Sequence, residues 1–173
     1  MWAIYFPNPL VNYRIVFPNP EHPIIFIFVE VLRIRATDTH PLRHKMLRPN
    51  GTNEDCIFHG DYDELTFHLG AFVDKKLVSV ASFYFERNDK FPEAHQYRLR
   101  GMATAQEHQG QGLSSALLRT AFPVIKQNQC TLLWCNAREK AVGFYEKVGF
   151  VSSGELFSLP NIGKHILMSI KID

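Results

Sequence analysis

Two glycines one residue apart, Gly110 and Gly112, stand where an apolar strand gives way to an amphipathic helix. A residue without Cβ lets the main chain come close to a bound group. The first turn of a helix carries N–H groups with no partner inside the helix, and its dipole favours negative charge. A strand, a glycine-bearing turn and a helix N-terminus in that order form a cradle for phosphate oxygens. The segment reads QYRLRGMATAQEHQGQGLSSALLRTAF, residues 96–122. Its strand is Tyr97 to Thr104 and its turn is Ala105 to Gln111. Its helix starts near Gly112, with Leu113, Ala116, Leu117 and Ala121 at helical spacing. A second residue fit for chemistry lies downstream, in NAREKAVGFYEKVGF at 136–150. There Ala141, Phe144, Tyr145 and Val148 share one helix face, and Gly149 is a natural left-handed stop. A phenol with an ordinary pKa of about 10 is protonated at neutral pH and can donate to a leaving group. Taken alone, a tyrosine on an apolar helix face is more often plain core.

The two segments together carry more than either one. Gln109-Gly110-Gln111-Gly112-Leu113-Ser114 closely resembles the acyl-CoA signature of the GNAT N-acetyltransferases, Q/R-x-x-G-x-G/A, with Gln109 and Gly112 matching and Ser114 departing from the usual Gly or Ala. Ser115-Ala116-Leu117-Leu118 after it is also usual for that family. The downstream segment resembles the family's N-x-x-x-x-A-x-x-F-Y-x-x-x-G-F, with Asn136, Ala141, Phe144, Tyr145, Gly149 and Phe150 matching. The resemblance covers about residues 28–173, and within the family the stretches 42–45 and 134–140 look like a group of bacterial members. It implies an N-acetyltransferase that uses acetyl-CoA, with an amine as its second substrate. The cradle at 109–114 would hold the pyrophosphate. The pantetheine arm would run along Met102, Ala103 and Thr104 like an added strand, and a backbone N–H of Met102 or Ala103 would polarise the thioester carbonyl. Asn136 would bond the arm where two strands part, or cap the following helix. Phe144 would line the arm's site, and Tyr145 would protonate the departing thiolate.

The base is harder to read. The glutamate that some family members carry on the central strand is replaced here by Arg98 and Arg100. Glu86, at the end of the preceding strand, and His95 are the candidates for the base, directly or through water. The acceptor is expected to be a small molecule, with a protein or peptide amine as the alternative. A GNAT-like module that binds acyl-CoA without catalysis is the second reading. A dinucleotide site is disfavoured, because Ser115 stands at the third glycine position of GxGxxG, and the strand some twenty residues on offers Trp134 and Cys135 but no acid for a ribose. Glu54, Asp55, Asp61, Asp63 and Glu64 fall in one loop and read either as a solvated surface or as an acidic lip that draws in an amine. His40 and His44 have metal spacing without a third ligand, so no metal is expected.

The elements that position these residues follow from periodicity. Val29, Val31 and Ile34 suggest a first strand ending near Arg35, and Pro41 to Leu47 a helix whose caps lie in Thr37-Asp38-Thr39. Thr66 to Val73 and Leu77 to Phe85 form a hairpin about Asp74-Lys75-Lys76. Thr131 to Cys135 is a buried parallel strand, and Val151 to Phe157 pairs with His165 to Ile172. Pro123 is expected to bend or end its helix. The expected fold is α/β: the GNAT acyltransferase fold, a mixed, mostly antiparallel sheet with helices on both faces. The chain of 173 residues suits one domain, 28–173, preceded by an extension, 1–27, in which Phe-Pro-Asn-Pro occurs twice. A formal charge of +2 gives no reason to expect nucleic acid. The prefix does not read as a signal peptide, and no apolar run is long enough to cross a membrane. Three cysteines without an evident framework favour the cytoplasm. A monomer or homodimer is expected.

Overall fold

A computed structural model of the chain describes residues 11–17, 25–160 and 162–172. The repeats at 6–9 and 17–20 lie outside these residues, apart from Phe17. Eight strands make one sheet: β1 (Val11–Phe17), β2 (Ile25–Ile34), β3 (Phe67–Val73), β4 (Lys76–Phe85), β5 (Gln96–Thr104), β6 (Leu132–Arg138), β7 (Val151–Leu159) and β8 (Gly163–Lys171). The order across the sheet is β1-β2-β3-β4-β5-β6-β8-β7. Every neighbouring pair is antiparallel except β5 and β6. β1 is one edge strand and β7 the other; β1 is paired along its length with β2, which begins three residues ahead of the start expected for the domain. Asp74 and Lys75 both take positive φ, 48° and 64°, the geometry that a two-residue hairpin turn needs to match strand twist.

Two helices cover opposite faces of the sheet. α2 (Leu113–Gln127) buries Leu113, Ala116, Leu117, Ala121 and Ile125 against Phe67, Leu69, Phe83, Tyr97 and Leu99. It continues through Pro123 to Gln127, so the proline does not end it. The buried Val124 and Ile125 just beyond the proline hold its last turn on the core. α1 (Ala36–Leu47) packs Leu42 on Val80 and Ala103 from the other side. It starts five residues before Pro41, because the Asp38 carboxylate accepts a hydrogen bond from the Arg35 backbone N–H at 3.0 Å and so closes the first turn. The last helix, α3 (Val142–Lys147), is much shorter than the periodicity of 136–150 predicts. β6 takes residues as far as Arg138, so Asn136 is a strand residue opposite Leu167, and Ala141 stands at the helix cap. Among the described residues no helix is long and apolar enough to cross a membrane.

α1 is an unusual core helix. Its buried face is Ala36, Thr39, Leu42 and Arg43, and Arg43 is fully buried. The guanidinium donates to both carboxylate oxygens of Asp61, at 2.6 and 2.9 Å, to the Cys56 carbonyl at 2.8 Å and to Ser82 Oγ at 2.7 Å. Tyr84 donates its hydroxyl to the same carboxylate. His68 Nε2–H donates to the Asp61 carbonyl at 2.9 Å, which leaves Nδ1 to accept from Ser82 Oγ at 2.6 Å. One polar network thus ties α1, the loop at 48–65, β3 and β4 together beneath the strand that carries the site.

Candidate active site

β5 and β6 pair only at Gln96–Leu132, Tyr97–Leu133 and Arg98–Trp134, and then they part. From Leu99 onward β5 offers main-chain polar groups on that edge with no ladder partner in β6. On its other edge β5 bulges. Val80 faces Ala103 and Ser82 faces Arg100, so Gly101 and Met102 together oppose Ala81. Gly101 sits at φ 61°, and a Cβ there would lie 2.7 Å from Arg43 Nε and 3.0 Å from the Phe58 ring. The bulge is therefore seated on the buried network and fixed by it.

The parting strands open a cleft of 190 Å³ whose walls include Met102, Asn136, Tyr145, Arg98, Arg100, Arg138 and His165. Met102, Asn136 and Tyr145, singled out in the sequence, meet in this one space. Tyr145 is 7% exposed, with Phe144 and Phe150 edge-on to its ring. Burial first, then the adjacent Cys135 thiol, pushes its phenol well above the usual value, so it stays protonated. Burial also raises the Cys135 thiol to about 12, which keeps it a neutral neighbour. Phe144 packs on the core behind Tyr145 and does not line the cleft.

Ala103, Thr104, Gln109, Gly110, Gln111, Leu113 and Ser114 gather at the far end of β5. Ala103 is buried between β4 and α1. Thr104 Oγ1 bonds Ser79 Oγ at 2.7 Å and Ser114 Oγ at 3.1 Å, and Gln109 Nε2 donates to the Thr104 carbonyl at 3.2 Å. Gln111 Oε1 meets His108 Nδ1 at 3.2 Å. Gly110 and Gly112 take φ 76° and 72°. Gly112 is the cap residue of α2, which has no side-chain cap and no acid in its first turn. Leu113 is buried beneath that turn, and Ala116 N–H is the first bonded back to Gly112. The turn's leading amides are thus open to an outside acceptor. Gly112→Val forces a β-branched residue into the left-handed region, at a cost of about 1–2 kcal/mol. If phosphate needs this turn, the variant binds acetyl-CoA about tenfold more weakly in calorimetric titration. An unchanged Kd would show that the turn is not used.

The two candidate bases fare differently from the cleft residues. Glu86 accepts a hydrogen bond from Arg98 at 2.7 Å, and its own carbonyl accepts from Trp134 Nε1 at 2.9 Å. It stands behind Arg98 rather than on the cleft wall. His95 is exposed against Phe85 at the opening of β5, away from the bulge. The residue that sequence reasoning missed is His165. It is 4% exposed, lines the cleft, and donates Nδ1–H to the Gly163 carbonyl at 2.9 Å. That bond leaves Nε2 as the acceptor nitrogen, without a partner among the described residues. Its only signal in the sequence is a lone histidine in the apolar strand that pairs beside Asn136 and Arg138.

The acidic stretch forms no lip on the cleft. Asp61 is buried with Arg43, and Asp55 accepts from the Thr52 N–H at 2.7 Å. Glu54, Asp63 and Glu64 are exposed and do not line the cleft. His40 and His44 also part company: His40 lies 3.9 Å from Asp61, while His44 Nε2 reaches the Gly51 carbonyl at 2.9 Å.

Comparison with known proteins places this geometry. The Acetyltransferase (GNAT) family model matches residues 29–150. An uncharacterized N-acetyltransferase of Bacillus subtilis, YitI, is 41% identical over 140 residues, covering 81% of this chain and 94% of the relative. FeeM, an N-acyl amino acid synthase from uncultured soil microbes, superposes with a TM-score of 0.70 at 10% identity, over 84% of this chain and 92% of its own. A putative N-acetyltransferase from Lactobacillus plantarum gives 0.68 at 16% identity, over 83% and 98%. At these identities the two structures speak for the fold alone.

Proposed function

The chain belongs to the GNAT family and is an acyltransferase, and from that premise we propose that it transfers the acetyl group of acetyl-CoA to a primary amine by direct attack in a ternary complex. The observation that carries this reading is the cleft at the β5–β6 divergence, with Met102, Asn136, Tyr145 and His165 on its walls. The capless first turn of α2 supports the pyrophosphate, and the unpaired edge of β5 supports the arm. Main-chain N–H groups at the Gly101–Met102 bulge are rigid donors for the thioester carbonyl as it becomes an oxyanion. They need no reorganisation, because the bulge rests on Arg43.

The amine nitrogen attacks the carbonyl carbon, the C–N bond forms and the C–S bond breaks. His165 Nε2 accepts the proton that the nitrogen gives up. Tyr145 donates its proton to the thiolate, His165 releases the proton it took up to solvent, and Tyr145 takes one back from solvent, so both groups are reset and charge balances over the cycle. Asn136 steers the arm. This assigns the base to His165 in preference to Glu86 or His95, on the ground that His165 lines the cleft and its Nδ1–H is held by the Gly163 carbonyl, which leaves Nε2 to accept.

Acetyl-CoA turnover against an amine panel tests the activity. Acetylated product from wild-type protein is the expected result. A folded protein that binds acetyl-CoA and acetylates nothing would favour the non-catalytic module. His165→Gln should lower kcat/KM about 10²-fold, the lower end of general-base effects, since water can partly replace it. It should leave the acetyl-CoA Kd in place. An unaltered kcat/KM would return the base to Glu86 or His95.

A further inference from the structure

The charge on the cleft wall is one-sided. Arg48, Arg98, Arg100 and Arg138 all line it, and no Asp or Glu among the described residues does. They arrive from three places: the C-terminal cap of α1, the middle of β5 and the last residue of β6. Arg98 has a carboxylate partner in Glu86. The other three make no ion pair among the described residues and rest on neutral groups. Arg48 Nη1 and Arg138 Nη2 both donate to the Leu47 carbonyl at 3.0 Å. Arg100 Nη1 reaches the His59 carbonyl at 3.4 Å, and its guanidinium lies 4.8 Å from the Phe58 ring centre. All are half-buried. Burial and then Arg98 lower the affinity of Arg100 for its proton, and burial and then Arg48 do the same to Arg138. Like charges are being held together.

Neither ordinary explanation accounts for all of them. The end of α1 favours a nearby cation, and Arg48 alone satisfies it; Arg100 is on another element. The phosphates of acetyl-CoA belong at the first turn of α2, and none of residues 109–114 lines this cleft. The positive charge therefore serves what enters from the acceptor side. A guanidinium presents a planar fork of donors that matches carboxylate and phosphate oxygens. A field of this sign also disfavours an ammonium and so helps the amine reach its nucleophilic, neutral form.

We propose that the acceptor is a primary amine that carries a carboxylate or phosphate, with Arg48, Arg100 and Arg138 holding the anion and the amine turned toward His165 and Tyr145. This rests on the cleft being the acceptor site of the reaction proposed above. The test is calorimetric titration of the full chain, saturated with CoA, with matched pairs: the common amino acids against their amides, and phosphoethanolamine against ethanolamine. In at least one pair the anionic member should bind about tenfold or more tightly than its partner, as charge-assisted hydrogen bonds allow. Which pair responds separates carboxylate from phosphate. Arg138→Gln and Arg100→Gln should each reduce that preference to near none, with acetyl-CoA affinity intact as the sign of a folded protein. If no anionic member surpasses its neutral partner, or if the preference survives both substitutions, the proposal is wrong. Anion-selective binding without acetylated product would leave the anion site standing and remove the reaction; acetylation of amines without anion preference would do the reverse.

Discussion

Asp61→Asn should cost about 3–5 kcal/mol, the usual consequence of stripping one partner from a buried ion pair. A domain of this size has about 5–15 kcal/mol to lose, so the variant should unfold at markedly lower urea. The loss is large because Arg43 has no exposure and no second carboxylate among the described residues: asparagine keeps the shape of the site but leaves a buried cation. Arg43→Met paired with Asp61→Leu should recover part of it, since removing both charges removes the unpaired one. The wild type should show the same chemistry in its pH dependence. Burial alone would raise the Asp61 carboxyl, but hydrogen bonds from Arg43 and Tyr84 and the charge of Arg43 outweigh it and hold it below the ordinary value of 3.8. Its contribution is present above that value and is lost as pH falls through the depressed one. His68 is depressed from 6.5 by burial, so its contribution also begins to fade as pH drops below 6.5. Acid sensitivity therefore sets in below pH 6.5 and steepens under 3.8. A loss under 1 kcal/mol in the variant, measured by urea titration at neutral pH, would mean the network is not a stability element. The same variant should weaken acetyl-CoA binding, because Gly101 lies against Arg43.

What the sequence displayed and what it hid divide along a physical line. The cradle was legible because its parts are consecutive: a strand, two glycines and a helix start need no partner to be recognised. The β3–β4 hairpin was legible for the same reason. Tyr145 could be placed on a helix face by period, but the chemistry proposed for it comes from the family pattern, since periodicity alone describes a core residue. α1 was misjudged at its start because its buried face is polar. Thr39 and Arg43 point inward, and an arginine-rich helix reads as a solvated one until Asp61 is brought under it. The acids of the loop are ambiguous in the complementary way, since the spent charge of Asp61 cannot be told from the free charge of Asp63 along the chain. His165 and the Gly101 bulge depend on the register of β8 with β6 and of β4 with β5, which no local pattern encodes. The arginines on the cleft wall were visible one by one, at 98 and 100, but their convergence with Arg48 and Arg138 is a property of the fold.

Tyr145→Phe should lower kcat about 10³-fold, within the range for a positioned proton donor. That is about 4 kcal/mol of transition-state stabilisation. The effect should exceed that of His165→Gln because the two sites differ in what can replace them. An amine facing an open cleft can give its proton to water. A thiolate departing beside Tyr145 would meet the phenol and the Cys135 thiol on a wall otherwise backed by Phe144 and Phe150, where little else can donate. Phenylalanine keeps the ring and its edge-on contacts, so the acetyl-CoA Kd and the urea midpoint should hardly move. A fall in kcat with KM and Kd preserved is the signature of a group that acts only in the transition state. Since Tyr145 stays protonated well above pH 10, its loss should scale the whole pH profile downward without shifting either limb. If kcat falls less than tenfold, or if a limb of the profile moves, the thiolate takes its proton from somewhere other than Tyr145.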